Sequence, residues 1–441
     1  MSVLGDFASF EMGQAPPGTA CNTEGVGTVF VKAGEFGPRY PVVREWTTNP
    51  LKFGRLGDVF ICVVGATAGK LNLGIDCAIG RSVAAIRPSP ELDVRFLYYQ
   101  LQPWVLKLRA ASSGSAQGVI SKKQLAEIPI AVPHLDEQLC IVAEIEKQFS
   151  RLDEAVANLQ RIKANLKRYK AAILKAAVEG RLVETEASLA HREGRSYETG
   201  EQLLHRILET RRVKWVGAGK YKEPAQLDVT PTGEPPIGWT WCNFEQVSSS
   251  ERYALKAGPF GSALKKEFYV PAGYKIYGQE QVIAGDHSFG DYYISEEKYR
   301  ELENCAVKPM DVLVSLVGTT GKVLVLPECA EPGIINPRLI KLSLNLQVIT
   351  AQYAAYYLQS APARSFFKLQ AHGGTMEILN LGIVKSLPVC LPPIAEQKRI
   401  VTEVDHHLSI VRQVESEVEV NLRRAQAFRQ ATLAKAFVTD Q

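Results

Sequence analysis

Residues 128–146 read IPIAVPHLDEQLCIVAEIE, and residues 387–405 read LPVCLPPIAEQKRIVTEVD. When Pro129 is aligned with Pro388, the dipeptide Glu-Gln falls at the same place in both stretches, and the register continues without a gap to Ala177. Each copy passes from a short apolar segment with flanking prolines into a helical pattern of apolar residues. The chain therefore contains two similar halves.

Size and composition favour an ordinary soluble protein with more than one domain. A chain of 441 residues is too long for one compact core. Its net charge of +4 permits an anionic partner without requiring one. The eight cysteines include no CxxC pair, so we expect neither a metal site nor a disulfide framework, and reduced thiols in a cytosol.

The N-terminus lacks the pattern of a signal peptide. No apolar run reaches the roughly 20 residues that cross a bilayer. We therefore expect a cytoplasmic protein without a membrane association.

The apolar pattern divides the chain into four segments. Short apolar runs broken by glycine and proline predict strands in two regions. Between and after them, apolar residues recur in steps of three and four, as in a coiled coil. The predicted segments are a first β-rich domain at 1–135, a central helical region at 136–215, a second β-rich domain at 216–393 and a C-terminal coiled-coil helix at 394–441.

Each long helix carries a narrow apolar stripe that needs a partner, and the other copy is the obvious candidate. The expected fold is α+β, with two similar α/β domains separated by an antiparallel pair of long helices and related by a pseudo-twofold repeat. Weaker repeats inside the domains support a shared fold, since Gly57-Asp58-Val59 matches Met310-Asp311-Val312. The stretch VGATAGK at 64–70 also matches VGTTGK at 317–322, with one residue deleted.

These residues resemble the specificity (S) subunit of type I restriction-modification systems. The strongest element is the duplicated signature of proline, Glu-Gln and helix, and the resemblance covers essentially the whole chain. GWTW at 238–241 and GPFGSALKK at 258–266 also fit the family. The first domain departs from the pattern, because it lacks the Gly-Trp-x-Trp opening and begins almost at once with MGQAPPG at 12–18.

The resemblance implies two target-recognition domains, each reading one half of a bipartite, asymmetric double-stranded DNA target. It implies that the helices set the gap between the half-sites and dock two adenine-methyltransferase (M) subunits, which use S-adenosylmethionine. Restriction (R) subunits, which use ATP and Mg²⁺, would join the same complex. The S subunit itself is expected to be non-catalytic and to hold no cofactor.

Two stretches resemble catalytic motifs but lack residues that the corresponding reactions need. GATAGKL at 65–71 has three residues between its glycines and a leucine after the lysine, whereas a P-loop needs four residues and a hydroxyl. Asn49-Pro50-Leu51-Lys52 lacks the second proline and the aromatic residue of an adenine-methyltransferase motif. A glycine-rich turn explains the first motif better, or a turn whose amides and lysine approach a DNA phosphate. From the second motif we expect no methyl transfer within this chain.

Sequence-specific binding to DNA needs cations on phosphates and side chains that pair with base edges. Turns and glycine-flanked polar loops are the natural places for such contacts, although each of these residues is about as well explained by a solvated surface. The DNA-binding candidates are Lys70, Ser113, Ser115, Gln117, Lys122 and Lys123 in the first domain, and Lys265, Lys266, Lys322, His372 and Thr375 in the second.

The Glu-Gln pairs allow two interpretations. A carboxylate near a helix start satisfies free amides and favours the helix dipole, which is a local role. The alternative is contact with the methyltransferase subunit or with the opposite helix. The residues concerned are Glu137, Gln138, Glu396 and Gln397.

Two further classes of function remain as alternatives. A two-armed protein-interaction scaffold would bind no DNA, and its binding would be insensitive to salt. A stand-alone methyltransferase or nuclease would need motifs that the sequence does not contain.

Overall fold

The computed structural model of the chain describes residues 2–113, 119–216, 219–227, 233–316, 321–370 and 379–437. The chain packs into two compact units. Unit 1 comprises Met1–Ile162 and Glu417–Gln441, and unit 2 comprises Lys163–Ser416. Each unit combines one β-rich domain with parts of two long helices.

Domain 1, which lies in unit 1, is built from short strands and helices. Its strands are β1 (Ser2–Val3), β2 (Ala8–Met12), β3 (Cys21–Asn22), β4 (Thr28–Val31), β5 (Glu45–Thr47), β6 (Phe53–Gly54), β7 (Val59–Cys62), β8 (Leu71–Leu73), β9 (Cys77–Ile79), β10 (Val83–Pro88) and β11 (Pro129–Ile130). Its helices are α1 (Leu4–Phe7), α2 (Val94–Leu101), α3 (Trp104–Ser113) and α4 (Lys122–Ala126).

The helices α5 (Leu135–Val178), α6 (Glu186–Glu193) and α7 (Gly200–Val213) lead from domain 1 to domain 2. The sequence pattern gives no sign of α6, whose eight residues are mostly polar. Asp93 caps α2, since its carboxylate accepts hydrogen bonds from the amides of Arg95 and Phe96.

Domain 2, which lies in unit 2, contains a second set of strands. They are β12 (Thr240–Asn243), β13 (Leu255–Ala257), β14 (Tyr269–Val270), β15 (Tyr274–Tyr277), β16 (Tyr293–Ile294), β17 (Ala306–Val307), β18 (Val312–Ser315), β19 (Val323–Val325), β20 (Gly333–Ile335), β21 (Leu339–Leu342) and β22 (Pro388–Leu391). The helices that follow α7 are α8 (Phe244–Val247), α9 (Gln279–Ala284), α10 (Glu296–Glu301), α11 (Ala351–Gln359), α12 (Ala361–Gln370), α13 (Leu381–Lys385) and α14 (Ile394–Phe437).

The sheets of the two domains have the same strand order. Domain 1 contains β1-β11, β2-β10-β7-β8 and β3-β5-β4-β9-β6, and domain 2 contains β12-β22, β13-β21-β18-β19 and β14-β16-β15-β20-β17. Every strand of domain 1 therefore corresponds to the strand of domain 2 whose number is higher by eleven. The parallel pair that the described residues of each domain contain also corresponds, β4 with β9 and β15 with β20. The predicted duplication of the fold is confirmed.

The continuous apolar run in β7 reflects burial on both faces of its sheet. Val59 and Ile61 pack in a core shared with α2, whereas Phe60 and Cys62 pack against the five-stranded sheet. The equivalent strand β18 does the same, since Val312 and Leu313 belong to different cores. Each domain is thus layered as helices, a four-stranded sheet and a five-stranded sheet.

The long helices α5 and α14 each contain 44 residues. In unit 1, Arg429 of α14 lies 3.1 Å from Asp153 of α5, and Thr432 bonds to Gln148 at 3.4 Å. Later residues of α14 thus meet earlier residues of α5, which makes the segments antiparallel. In unit 2, Tyr169 Oη of α5 lies 2.9 Å from His407 Nδ1 of α14, and the later residue Ile173 shares a core with the earlier residue Ile400, so these segments are antiparallel as well. None of the helices in the described ranges is long and apolar enough to span a bilayer.

Candidate DNA interface and helix starts

The glutamine of each Glu-Gln pair joins the start of a long helix to the domain before it. Gln138 Oε1 accepts a hydrogen bond from the Asp93 amide at 2.8 Å, and Gln138 Nε2 donates to the carbonyls of Glu91 and Pro133, both at 2.8 Å. Asp93 is the N-cap of α2, so Gln138 binds the backbone at the start of that helix. The side chain is fully buried.

Gln397 repeats this arrangement in domain 2. Its Oε1 accepts from the amide of Thr350, the N-cap of α11, at 2.8 Å. Its Nε2 donates to the carbonyls of Val348 at 2.9 Å and Pro392 at 3.0 Å. A buried carboxamide with all of these bonds made fixes the domain relative to the helix start within its own unit.

The glutamates of the two pairs differ. Glu396 is buried and accepts hydrogen bonds from the Glu186 amide at 2.9 Å and from the Trp239 indole at 3.0 Å. Burial raises the pKa of Glu396, although these two donors favour its charged form. Glu137 is exposed. Among the four Glu-Gln residues, Glu137 is thus the one whose side chain faces solvent.

Glu186 is held in an ion-pair network beside Glu396. Its carboxylate lies 2.7 Å from both Arg195 and Arg399. Burial opposes its ionisation, but hydrogen bonds from Arg399 and Arg195 lower the pKa of Glu186 overall. The network ties α6 to the start of α14 within unit 2.

Each domain also makes a tyrosine–carboxylate contact to its long helix that was not predicted from the sequence. Tyr99 Oη lies 3.5 Å from Glu146 Oε1, and Tyr356 donates to Asp405 at the equivalent position. Burial raises the pKa of Tyr99 to about 12, so the phenol stays protonated. The repeat does match the two carboxylates, because Glu146 and Asp405 end the stretches at 128–146 and 387–405.

Four loops of domain 1 meet at one end of its sheets, which we call the loop end. They comprise residues 13–20, 63–70, 80–82 and 119–121. The Gly13 amide donates to Val83 at 2.9 Å, the Val63 amide to Ser82 at 2.9 Å and the Ile120 amide to Val63 at 2.8 Å. Backbone hydrogen bonds therefore hold these loops together.

Domain 2 has the same loop end, formed by residues 258–266, 336–338 and the described residues around 316, 322 and 379. The Gly258 amide donates to Leu339 at 2.9 Å, the Leu316 amide to Arg338 at 3.0 Å and the Leu379 amide to Leu316 at 3.2 Å. Each bond matches one of domain 1. The two loop ends are thus the same architecture with different side chains.

The loop ends contain most of the lysines that the sequence suggests for DNA binding. The carbonyls of Lys70 and Lys322 accept equivalent backbone bonds, from Cys62 at 2.8 Å and from Ser315 at 2.9 Å. The ammonium of Lys70, however, donates to the Phe36 carbonyl at 2.6 Å, whereas Lys322 is exposed.

The remaining lysines are exposed. Lys122 and Lys123 lie in α4, directly after the loop end of domain 1, and Lys123 is 3.8 Å from Glu127. Lys265 and Lys266 lie in the loop after β13, and Lys265 is 3.4 Å from Glu267. Such exposed pairs are weak and leave the ammonium groups accessible to a phosphate.

The polar loop candidates are not placed by the structure. Ser115, Gln117, His372 and Thr375 lie outside the described residues, and Ser113 is the last residue of α3, with no description of its side chain. Their proposed contacts with DNA stay predictions.

The chain is similar to known proteins in both sequence and fold. Residues 1–168 and 261–420 match the family model of the type I restriction modification DNA specificity domain. The putative type I restriction enzyme MjaX specificity subunit of Methanocaldococcus jannaschii is 31% identical over 39% of this chain and 40% of its own length. The type I restriction enzyme EcoBI specificity subunit of Escherichia coli is 23% identical over 78% of this chain and 65% of its own length. The chain thus spans less than two thirds of either relative.

A solved structure concerned with complex assembly and conformational transition of the type I R-M system contains a chain of similar fold. The TM-score is 0.66 at 17% sequence identity, and the match covers 100% of this chain and 97% of that chain. The likeness supports the fold described above. Because the family model matches most of the sequence in two separate regions, the chain belongs to the family of type I restriction modification DNA specificity domains.

Proposed function

We propose that this chain is the non-catalytic, sequence-specific DNA-binding subunit of a type I restriction-modification complex in the cytoplasm. Each domain reads one half of a bipartite, asymmetric target in double-stranded DNA. The observation that carries the proposal is the pair of loop ends, which share one backbone arrangement but carry different side chains. Such a pair suits the reading of two different half-sites.

The partners follow from the family. The long helices set the gap between the half-sites and dock two methyltransferase subunits, which carry S-adenosylmethionine. Restriction subunits that use ATP and Mg²⁺ complete the assembly. Residues 1–135 and 216–393 act as the two target-recognition domains. Residues 136–215 and 394–441 act as the helical spacers. The fixed glutamine contacts support this division, because a spacer sets a distance only when its ends are rigid.

The proposed contacts with DNA phosphates involve the exposed lysines of the loop ends and α4. Each lysine that neutralises a phosphate releases a counterion, so binding weakens steeply as salt rises. Glu137 is the exposed member of the Glu-Gln pairs and the one that suits contact with a partner subunit.

The test is to measure DNA binding by the chain in complex with its methyltransferase, at several salt concentrations, with a footprint of the bound duplex. We expect two protected segments and an affinity that falls as salt rises. A two-armed scaffold without DNA binding would instead show no protection at any salt concentration, and that result would reject the proposal.

A further inference from the structure

The parallel strand pair of domain 2 brings an arginine and a glutamine together at the loop end. Tyr277 and Ile335 are partners in the parallel register of β15 and β20, so both strands end at the same edge. Gln279 and Arg338 follow them. Ligands of sheets with parallel strands commonly bind beyond the carboxyl ends of those strands.

These side chains form a short polar chain. The Arg338 guanidinium lies 3.5 Å from Gln279 Oε1, and Gln279 Nε2 donates to Ser315 Oγ at 2.7 Å. Ser315 is fully buried at the end of β18 and so fixes the position of Gln279. Among the described residues, no carboxylate lies within 4.0 Å of the Arg338 guanidinium. Arg338 is exposed, and its charge is not paired with a carboxylate of the described residues.

An exposed aromatic ring lies on the neighbouring loop. Phe260 is 83% exposed, although a phenylalanine buries about 150–250 Å² when it is covered. The loop is packed against the residues before Arg338, since a Cβ added to Gly258 would lie 1.9 Å from the Asn336 carbonyl oxygen. Lys265 and Lys266 follow in the same loop. The edge thus combines cations, a carboxamide and an apolar surface.

This combination matches the chemistry of base edges in the major groove. Arginine makes bidentate bonds to guanine, glutamine makes them to adenine, and an apolar side chain contacts the thymine methyl group. We propose that Arg338, Gln279 and Phe260 form the base-reading surface of domain 2. This inference rests on the proposed function and names the residues that determine specificity in one half-site.

Domain 1 supports the assignment by contrast. Its equivalent positions carry Ser82 for Arg338, Ala33 for Gln279 and Ala15 for Phe260, as the matched strand registers show. The backbone arrangement is kept, since the Gly80 amide donates to the Val31 carbonyl at 2.9 Å and the Asn336 amide donates to the Tyr277 carbonyl at 2.8 Å. The side chains differ, and in domain 1 the Ala33 amide donates to Ser82 Oγ at 3.0 Å. The same place in the fold therefore presents different chemistry to each half-site.

The test uses the chain in complex with its methyltransferase and a library of randomised DNA duplexes, followed by sequencing of the bound fraction. The variants are R338A, Q279A and F260A. The matched control is R300A, because Arg300 is an exposed arginine of domain 2 that lies on α10 and pairs with Glu296. We expect each of R338A and Q279A to reduce the preference at one or two positions of one half-site by about tenfold or more. The other half-site and the R300A profile should stay unchanged.

Two results would overturn the inference while leaving the proposed function intact. One is a wild-type bipartite preference that all three variants retain. The other is a uniform loss of affinity across all sequences, which would mark phosphate contacts only. Failure of the wild-type complex to select any DNA sequence would instead reject the proposed function itself.

Discussion

Gln397 binds the backbone of Thr350, with 2.8 Å between its Oε1 and the Thr350 nitrogen, and so joins the start of α14 to the start of α11. Gln138 makes the same bond to Asp93. The glutamine of the duplicated signature therefore lies in the long helix and binds the backbone of the preceding domain. In both copies these hydrogen bonds fix the start of the long helix relative to the domain of the same unit.

Replacing Gln397 with alanine should destabilise unit 2. The substitution leaves a partly buried amide and two buried carbonyls without their partner, and one buried unsatisfied group costs about 1–3 kcal/mol. We expect the free energy of unfolding to fall by at least that amount in urea denaturation. Lys398→Ala, at the exposed neighbouring position, is the control. A loss no larger than that of the control would contradict the role of Gln397.

The two glutamates should respond differently to substitution. Glu396→Ala removes the acceptor for the Glu186 amide and the Trp239 indole, so we expect a loss of about 1–3 kcal/mol in unfolding free energy. Glu137→Ala changes an exposed residue and should stay within about 0.5 kcal/mol of the wild type. Thermal denaturation of the two variants measures the difference. Equal losses of stability in the two variants would contradict the different roles of Glu396 and Glu137.

The stabilising effect of Glu186 should depend on pH. Its folded-state pKa lies below the ordinary value of 4.5, so the unfolded chain binds the proton more tightly. The contribution is therefore complete above pH 4.5 and is lost as the pH falls through the folded pKa. We expect the difference in melting temperature between wild type and Glu186→Gln to shrink below pH 4.5. If the difference in melting temperature instead grew as the pH fell, the pKa of Glu186 would not be lowered in the folded state.

Lengthening the helices should change the gap in the DNA target. Four residues inserted after Gln160 in α5 and after Asn421 in α14 lengthen each helix by about 6 Å. Since B-DNA rises about 3.4 Å per base pair, we expect the gap between the half-sites to change by roughly two base pairs. Sequencing of methylated sites measures the gap. An unchanged gap would mean that the helices do not set it.

The duplicated signature was enough to predict the helices and the repeat, because helical periodicity and capping are local in sequence. The partner of Gln138 was not predictable, since Asp93 lies 45 residues earlier and contributes a backbone amide that leaves no mark in the sequence. The helix α6 was missed because it is short and polar, and Thr185 caps it without a strong apolar pattern.

In the loop ends, too, local features could be predicted from the sequence and long-range contacts could not. The Gly-Lys turns were recognisable, because a turn that needs glycine repeats its residues. Gln279 and Arg338 are 59 residues apart and meet only when β15 and β20 pair in parallel. Such a long-range pairing has no sequence signature. The proposed base-reading surface therefore depends on the order of the strands and cannot be predicted from the sequence alone.

The measurement that tests the central claim most directly is genome-wide mapping of methylated adenines in a host that carries this chain and its methyltransferase. The account predicts a single motif with two different half-sites and a fixed gap, which loses one half when residues of one loop end are changed. Methylation at a continuous or symmetric motif, or methylation that does not depend on this chain, would contradict it.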